Sequence, residues 1–129
     1  MIDHISFRVR DVDASRAFYV AALAPLGYGV IMEFPGAVGM GKSGKPSFWF
    51  GSEQPSYWTD VHGAATAPIH IALVAQDRAA VDAFYAAAIA AGAKDFGGPG
   101  LRPHYHPGYY GAFVLDPDGN NIEAVCHGF

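Results

Sequence analysis

Two histidines and one glutamate have the residue types and the spacing of a metal centre. His4 and His70 each open a run of alternating apolar residues, and Glu123 is the one acid in the apolar run 121–125. Burying a carboxylate costs free energy unless a positive group meets it. Two imidazoles and one carboxylate bind Fe(II), Mn, Zn or Ni and leave coordination positions open for water or substrate. We therefore predict a divalent metal ion on His4, His70 and Glu123.

Each of these residues, taken alone, also has an ordinary structural explanation. A histidine in a strand is commonly held by a hydrogen bond, and a strand glutamate commonly pairs with an arginine. An internal repeat favours the metal centre over these explanations, because it places His4 and His70 at equivalent positions of two equivalent units.

The repeat is visible at a shift of 66 residues, which is the separation of the two histidines. A chance match in alanine-rich helices does not explain why a His-Ile pair, an aspartate and a Phe-Tyr pair all recur at one shift. The matched positions share their residue type and are His4-Ile5 with His70-Ile71, Asp11 with Asp77, and Ala17-Phe18-Tyr19 with Ala83-Phe84-Tyr85. We therefore predict a duplicated β-α-β-β-β unit of the α+β class.

The elements that position these residues follow from periodicity, caps and turns. Alternation predicts the first strand of each unit, aspartate caps predict its helix, and glycines and prolines separate the later strands. The predicted strands are 4–10, 28–34, 37–41, 47–50, 69–75, 94–96, 110–115 and 121–125, and the predicted helices are 14–23 and 78–91. The turn Asp116-Pro117-Asp118-Gly119-Asn120 predicts a tight hairpin before Glu123. A single domain, 1–129, thus divides into module one (1–53), a linker (54–68) and module two (69–129).

A loop predicted over 97–107 leads into the hairpin and is rich in His and Tyr. A loop beside a site supplies general acid/base groups and hydrogen bonds to substrate. The proton-transfer candidates are Tyr105, His106 and Tyr110, and the substrate contacts expected from this region are Arg102, His104 and Tyr109. A rigid surface loop with aromatic anchors is the competing interpretation, and the tyrosines also fit a dimer interface.

Arg8, Phe48 and Phe50 are the predicted substrate contacts of the first module. Arg8 shares the face of His4 by alternation and suits a carboxylate, phosphate or enolate oxygen. An internal ion pair between Arg8 and Glu33 is the competing expectation. Phe48 and Phe50 would supply apolar wall, which indicates a small, partly aromatic substrate with an oxygen pair able to chelate metal.

Composition excludes several classes of partner. The chain of 129 residues is 51% hydrophobic and 16% charged, with a net charge of −4 and no Lys/Arg cluster. Nucleic acid and anionic membranes are therefore not expected partners. The single cysteine, Cys126, forms no intrachain disulfide, and the sequence shows neither a leader pattern nor an apolar run of roughly 18 residues. We expect a cytoplasmic protein.

These motifs together resemble the vicinal oxygen chelate superfamily over essentially the whole chain. That group includes glyoxalases, extradiol dioxygenases, fosfomycin-resistance enzymes, methylmalonyl-CoA epimerase and bleomycin-binding proteins. The matching segments are His4-Ile5-Ser6-Phe7, the run 11–19, His70-Ile71-Ala72-Leu73 and the run 116–123. The resemblance implies paired modules that form a cupped mixed sheet with helices outside, in a homodimer, with a metal at the bottom of the cup.

One departure from the family pattern narrows the expected chemistry. Aligning Gly44 with Gly119 makes Phe48 the first-module counterpart of Glu123, where glyoxalases have a carboxylate ligand. A phenyl ring neither ligates a metal nor accepts a proton, although Glu33 or Glu53 could still reach the site. The classical glyoxalase and epimerase reactions are thereby disfavoured, and a site of two histidines and one glutamate resembles the dioxygenase or fosfomycin-resistance arrangement. We expect a metal-dependent dioxygenase or a glyoxalase-like lyase. The alternative is a metal-free protein of the bleomycin-resistance type that binds an antibiotic or a metabolite.

Overall fold

The computed structural model describes residues 1–62 and 67–128 and contains the predicted repeat of one strand, one helix and three strands. Its strands are β1 (Ile5–Arg8), β2 (Gly29–Phe34), β3 (Ala37–Lys42), β4 (Lys45–Gly51), β5 (His70–Val74), β6 (Lys94–Leu101), β7 (Tyr109–Leu115) and β8 (Asn121–His127). Its helices are α1 (Val12–Leu23) and α2 (Arg78–Ala90), and short 3-10 turns cover Ala24–Leu26 and Asp60–His62. The predicted α+β class with duplicated modules is confirmed.

The predicted aspartate caps begin both helices. The side chain of Asp11 accepts a hydrogen bond from the Ala14 amide at 3.0 Å, and that of Asp77 accepts one from the Ala80 amide at 2.8 Å. These bonds satisfy amides that have no partner inside the first helical turn. Gly92 ends the second helix with a φ of +100°, a backbone angle that favours glycine.

Each module forms its own four-stranded mixed sheet. The strand orders are β1-β4-β3-β2 and β5-β8-β7-β6, and in each sheet the first strand of the module runs parallel to the last. The remaining neighbours are antiparallel. His4 therefore precedes an edge strand of the first sheet, whereas His70 and Glu123 lie on adjacent strands of the second.

One hydrophobic core fills the space between the two sheets and the helices. The helices pack against each other, and the core includes Phe18, Phe50, Phe84 and Ile122 from both modules. The buried Tyr19 donates a hydrogen bond to Asp116 at the start of the β7–β8 turn, which ties the two modules together. The face of each sheet that the helices do not cover is called its open face below.

The segment before the hairpin differs from the prediction. Strand β6 continues to Leu101, so the loop predicted over 97–107 begins only at residue 102. Irregular register at Gly97 and Gly100, with a φ of +142° at Gly97, lets this glycine-rich strand bend while it stays paired with β7. Glycine and proline there mark bulges in a strand rather than its end.

The part of the predicted linker 54–68 that precedes residue 63 lines a cavity over the first sheet. Residues 63–66 of this segment lie outside the described residues. Within the described parts of the chain, no helix is both long and apolar enough to cross a membrane.

Candidate functional site

Glu123 is a buried acid on the open face of the second sheet. It is 2% exposed, and its register neighbours are Ala72 on β5 and Phe113 on β7. Its Oε1 accepts a hydrogen bond from the Tyr109 hydroxyl, and its Oε2 lies 3.3 Å from Nε2 of His70. The fold thus brings two of the three predicted metal ligands together.

The hydrogen bond made by Nδ1 of His70 fixes the tautomer of the ring and so the role of Nε2. Nδ1 lies 3.1 Å from the backbone oxygen of Asn121, and since a carbonyl oxygen only accepts, Nδ1 carries a proton. Neutral His70 therefore directs the lone pair of Nε2 at the carboxylate of Glu123. Two lone pairs 3.3 Å apart require a proton or a cation between them. A histidine whose rear N–H is held by a carbonyl is the usual arrangement of a metal ligand.

Tyr109 holds the carboxylate from the other side. Burial, followed by its hydrogen bond to Glu123, raises the pKa of the Tyr109 hydroxyl well above its usual range. The hydroxyl therefore stays protonated at neutral pH and serves as a donor to Glu123. Gly111 leaves the room for this contact, because a Cβ atom there would lie 2.9 Å from Oε1 of Glu123.

Asn121 is a polar residue of this face that sequence reasoning missed. Its side-chain oxygen is buried and has no hydrogen-bond partner among the described residues. Asn121 pairs with His70 in register and lies two residues before Glu123, so alternation places all three on the same face. That alternation was the available signal. An orphaned oxygen beside the pair fits a centre that takes a cation or a hydrogen-bond donor.

His4 does not join this pair within one chain. Its Nδ1 lies 2.7 Å from a carboxylate oxygen of Asp3, which also accepts from Lys45 at 2.8 Å. Among the described residues, no three His, Cys, Asp or Glu side chains are grouped closely enough to hold a metal ion. The reason is topological, since His4 belongs to the first sheet and the other two ligands to the second. The donor set of a single chain therefore fits a metal only in part.

Tyr110 is wrong as a proton-transfer candidate for this centre. Successive residues of a strand face opposite sides, and Tyr109 occupies the open face. The Tyr110 hydroxyl instead donates to Asp82 of α2 at 2.7 Å, and the guanidinium of Arg78 lies 5.0 Å from the centre of its ring. The hydrogen bond to Asp82 raises the pKa of Tyr110.

Phe48 and Phe50 are buried in the core, since each is only 1% exposed and both pack with Tyr19. Phe50 also lines the cavity described below. In the two parallel ladders Ser6 pairs with Trp49 as Ala72 pairs with Glu123. The first-module counterpart of Glu123 is therefore Trp49 rather than Phe48, and it too is not a carboxylate.

The loop after β6 brings the remaining candidates of the second module around Tyr109. The ring of Tyr105, 58% exposed, lies 4.9 Å from that of Tyr109 and 4.3 Å from that of His104. His106 Nε2 lies 2.8 Å from His127 Nδ1, and both imidazoles meet the Tyr109 ring edge-on. These rings fix the position of the tyrosine that holds Glu123.

Arg102 lies further along the same open face. It donates to the backbone oxygen of Gly98 at 2.7 Å, and its guanidinium is 5.5 Å from the ring centre of Phe113. Phe113 in turn stacks on His70 at 6.2 Å. Arg102 is thus separated from the ligand pair by one aromatic ring.

Arg8 lines a cavity of about 680 Å³ over the first sheet. Its Nε donates to the backbone oxygen of Ser52 at 3.3 Å, and its guanidinium lies 5.6 Å from the ring centre of Trp58. The expected Arg8–Glu33 pair is wrong, because Glu33 binds Arg16 at 2.5 Å instead. Glu53 lines the same cavity, whose described lining includes neither His70 nor Glu123.

Comparisons with known proteins agree with this fold. The family model described as "Glyoxalase/Bleomycin resistance protein/Dioxygenase superfamily" matches residues 1–124. A glyoxalase/bleomycin resistance protein from Albidiferax ferrireducens T118 is 28% identical, with a TM-score of 0.73 and 95% of each chain covered. A putative glyoxalase from Bacillus halodurans is 25% identical, with a TM-score of 0.68, covering 97% of this chain and 94% of that one.

A lactoylglutathione lyase from Agrobacterium tumefaciens shares the fold at 22% identity, with a TM-score of 0.70, covering 97% of this chain and 92% of that one. A search of curated proteins found no match.

Proposed function

Because the chain belongs to the Glyoxalase/Bleomycin resistance protein/Dioxygenase superfamily, we propose that it is a divalent-metal-dependent enzyme acting on a small substrate with vicinal oxygens. The observation that carries this proposal is the 3.3 Å approach of His70 Nε2 to Glu123 Oε2. The other polar atom of each group, His70 Nδ1 and Glu123 Oε1, already has a hydrogen-bond partner. When bound there, a divalent metal supplies a Lewis acid that holds two oxygens and stabilises the negative charge developing on them.

The third ligand in this proposal is His4 of a second copy. His4 is exposed and lies on the other sheet, so a partner must bring it to the His70–Glu123 pair. Large apolar side chains support such pairing of open faces: Phe34 on the first is 57% exposed and Val74 on the second is 69% exposed. The proposed assembly is a homodimer, each of whose sites uses both chains.

The residues around the His70–Glu123 pair have separate roles in the proposed reaction. Tyr109 keeps the carboxylate of Glu123 oriented, and Asn121 offers an oxygen to a donor on the substrate. Imidazole and phenol groups are usual proton carriers in enzymes, so Tyr105 and His106 remain the proposed proton-transfer residues. The His106 ring is held in one tautomer, because its Nδ1 accepts from the Gly108 amide at 3.2 Å and Nε2 then carries the proton.

A metal-free binding protein is the second candidate, and the large cavity of the first sheet favours it. That cavity is formed by one chain and includes both tryptophans, whereas the metal centre requires two chains. A cytoplasmic location is part of either proposal, since the one cysteine forms no intrachain disulfide.

Metal analysis of protein purified without chelators tests the leading proposal. We expect one divalent ion per chain in the wild type and less than a tenth of that in His70→Ala and Glu123→Gln. Glu53→Gln is the matched control, because it removes an acid that lines the cavity over the first sheet. Folded wild-type protein without metal that takes up none from added Mn²⁺, Fe²⁺, Zn²⁺ or Ni²⁺ would refute the metalloenzyme and favour the binding protein.

Mixing two inactive variants tests whether the centre is shared between chains. His4→Ala and His70→Ala each damage every site of their own homodimer. In a shared arrangement, the mixed dimer carries both changes in one site and leaves the other intact, so re-equilibrated mixtures regain about a quarter of the wild-type metal. If each site belonged to one chain, mixing would restore nothing.

A further inference from the structure

A cavity over the first sheet lies outside the set of proposed metal ligands. Strand residues Ser6, Arg8 and Trp49 line it on the side of the sheet, several residues between 53 and 62 line its roof, and Ile69 and Asn120 of the second module also border it. Its volume of about 680 Å³ is within the range of small-molecule sites. Of the described residues that line it, none is a proposed metal ligand, so its occupation requires no metal.

Flat aromatic surfaces dominate the cavity walls. The indole of Trp49 lies directly over Gly39, where a Cβ atom would come within 2.7 Å of the ring, and it stacks on Phe34 with an interplanar angle of 15°. These two contacts fix the ring plane against the sheet. Trp58 lines the roof, where the guanidinium of Arg8 holds its ring. Rigid aromatic faces of this kind favour a planar ring as ligand.

The polar edge of the cavity presents hydrogen-bond donors. Arg8 carries a permanent positive charge and is oriented by its bond to Ser52. His62 accepts from the Thr59 amide through Nδ1 at 3.1 Å, so neutral His62 carries its proton on Nε2 and is a donor there. The one acid among the described lining residues is Glu53. A carboxylate on the ligand would meet these donors.

We propose that this cavity binds a planar aromatic carboxylate, with the ring between Trp49 and Trp58 and the carboxylate at Arg8. This inference deepens the proposed function, because the ligand would be the substrate of the enzyme, but the binding itself stands or falls without the metal. An aromatic acid can both stack on the tryptophans and bond to Arg8. An aliphatic acid loses the stacking, and a neutral aromatic compound loses the charge-assisted hydrogen bonds.

Calorimetry with matched probes in the presence of EDTA tests the proposal. 2-Naphthoate is the probe, 2-naphthamide removes its charge, and decahydronaphthalene-2-carboxylate removes its aromaticity. We expect 2-naphthoate to bind about tenfold or more tightly than either control. The chain has only two tryptophans, so both indole N–H signals should shift in NMR spectra on binding. Equal affinity for the three probes, or unshifted indole signals, would overturn the proposal.

Variants assign the effect to the cavity and separate it from the metal centre. Arg8→Gln should abolish the preference for 2-naphthoate over 2-naphthamide, and Arg8→Lys, which keeps the charge if the glutamine variant misfolds, should retain part of it. Arg10→Gln is the control, since that side chain is 76% exposed. Glu123→Gln should bind 2-naphthoate like the wild type even where it has lost metal. An unchanged preference in Arg8→Gln, or its complete loss in Arg8→Lys, would contradict the assignment.

Discussion

Tyr109→Phe removes the hydroxyl that holds the buried carboxylate of Glu123. Glu123 is 2% exposed, and no other hydrogen bond to its Oε1 is present among the described residues. A hydrogen bond to a charged group contributes about 1.5–3 kcal/mol to the free energy of unfolding. Since 1 kcal/mol corresponds to about 3–5 °C for a chain of this size, Tm should fall by about 5–15 °C in metal-free protein.

The same variant has a predicted pH dependence. The pKa of Tyr109 is raised in the folded state above its ordinary value of 10.0, so this residue stabilises the fold fully below about pH 10. Its contribution is lost as the pH rises through the higher folded-state pKa. The difference in unfolding free energy between wild type and Tyr109→Phe should therefore be constant from pH 7 to about pH 9 and shrink above pH 10.

Urea unfolding of metal-free protein at several pH values measures both effects. Tyr57→Phe is the matched control, because Tyr57 is 76% exposed and should lose less than about 0.5 kcal/mol. If Tyr109→Phe is as stable as this control, the hydroxyl does not hold the carboxylate. A difference that grows above pH 10 would also refute the reasoning.

Three further changes test the surroundings of the centre. Gly111→Ala should weaken Ni²⁺ binding at least tenfold in calorimetry, because the new Cβ would displace Glu123, whereas Gly29→Ala, with open space around it, should leave binding unchanged. Tyr110→Phe should keep the wild-type metal content by elemental analysis, since its hydroxyl bonds helix α2. Asn121→Leu should stabilise the metal-free protein by about 1 kcal/mol in urea by removing an orphaned acceptor, and should weaken substrate binding in the metal-loaded enzyme.

The fold was predictable because its signals are local and recur. Asp11 and Asp77 cap their helices as expected, and the shift between His4 and His70 locates the same strand in each module. Apolar alternation then fixes which face of each strand is buried. These features depend only on neighbouring residues, so the sequence carries them in full.

The errors at the site come from strand register, which sequence alone does not carry. The β3–β4 turn contains only Ser43 and Gly44, both at positive φ, whereas five residues separate β7 from β8. Aligning the turn glycines therefore shifted the first module by one residue and selected Phe48 in place of Trp49. The register is set by the parallel ladders with β1 and β5, which are contacts between distant residues.

His4 lies apart from the His70–Glu123 pair within one chain, which the repeat alone did not indicate. The repeat predicted that His4 and His70 are equivalent, which the two sheets confirm. Two residues at equivalent positions of a duplicated chain need not lie close together, because the two open faces belong to separate sheets. Under the proposed function a second copy supplies His4, and such a contact would be encoded in surfaces rather than in motifs.

Anomalous X-ray scattering from crystals grown with Mn²⁺ or Ni²⁺ tests the central claim most directly. The account predicts one strong peak per chain within bonding distance of His70 Nε2 and Glu123 Oε2, with His4 of a second copy as the third protein ligand. No peak at this pair, in crystals where the metal is bound elsewhere or not at all, would contradict it.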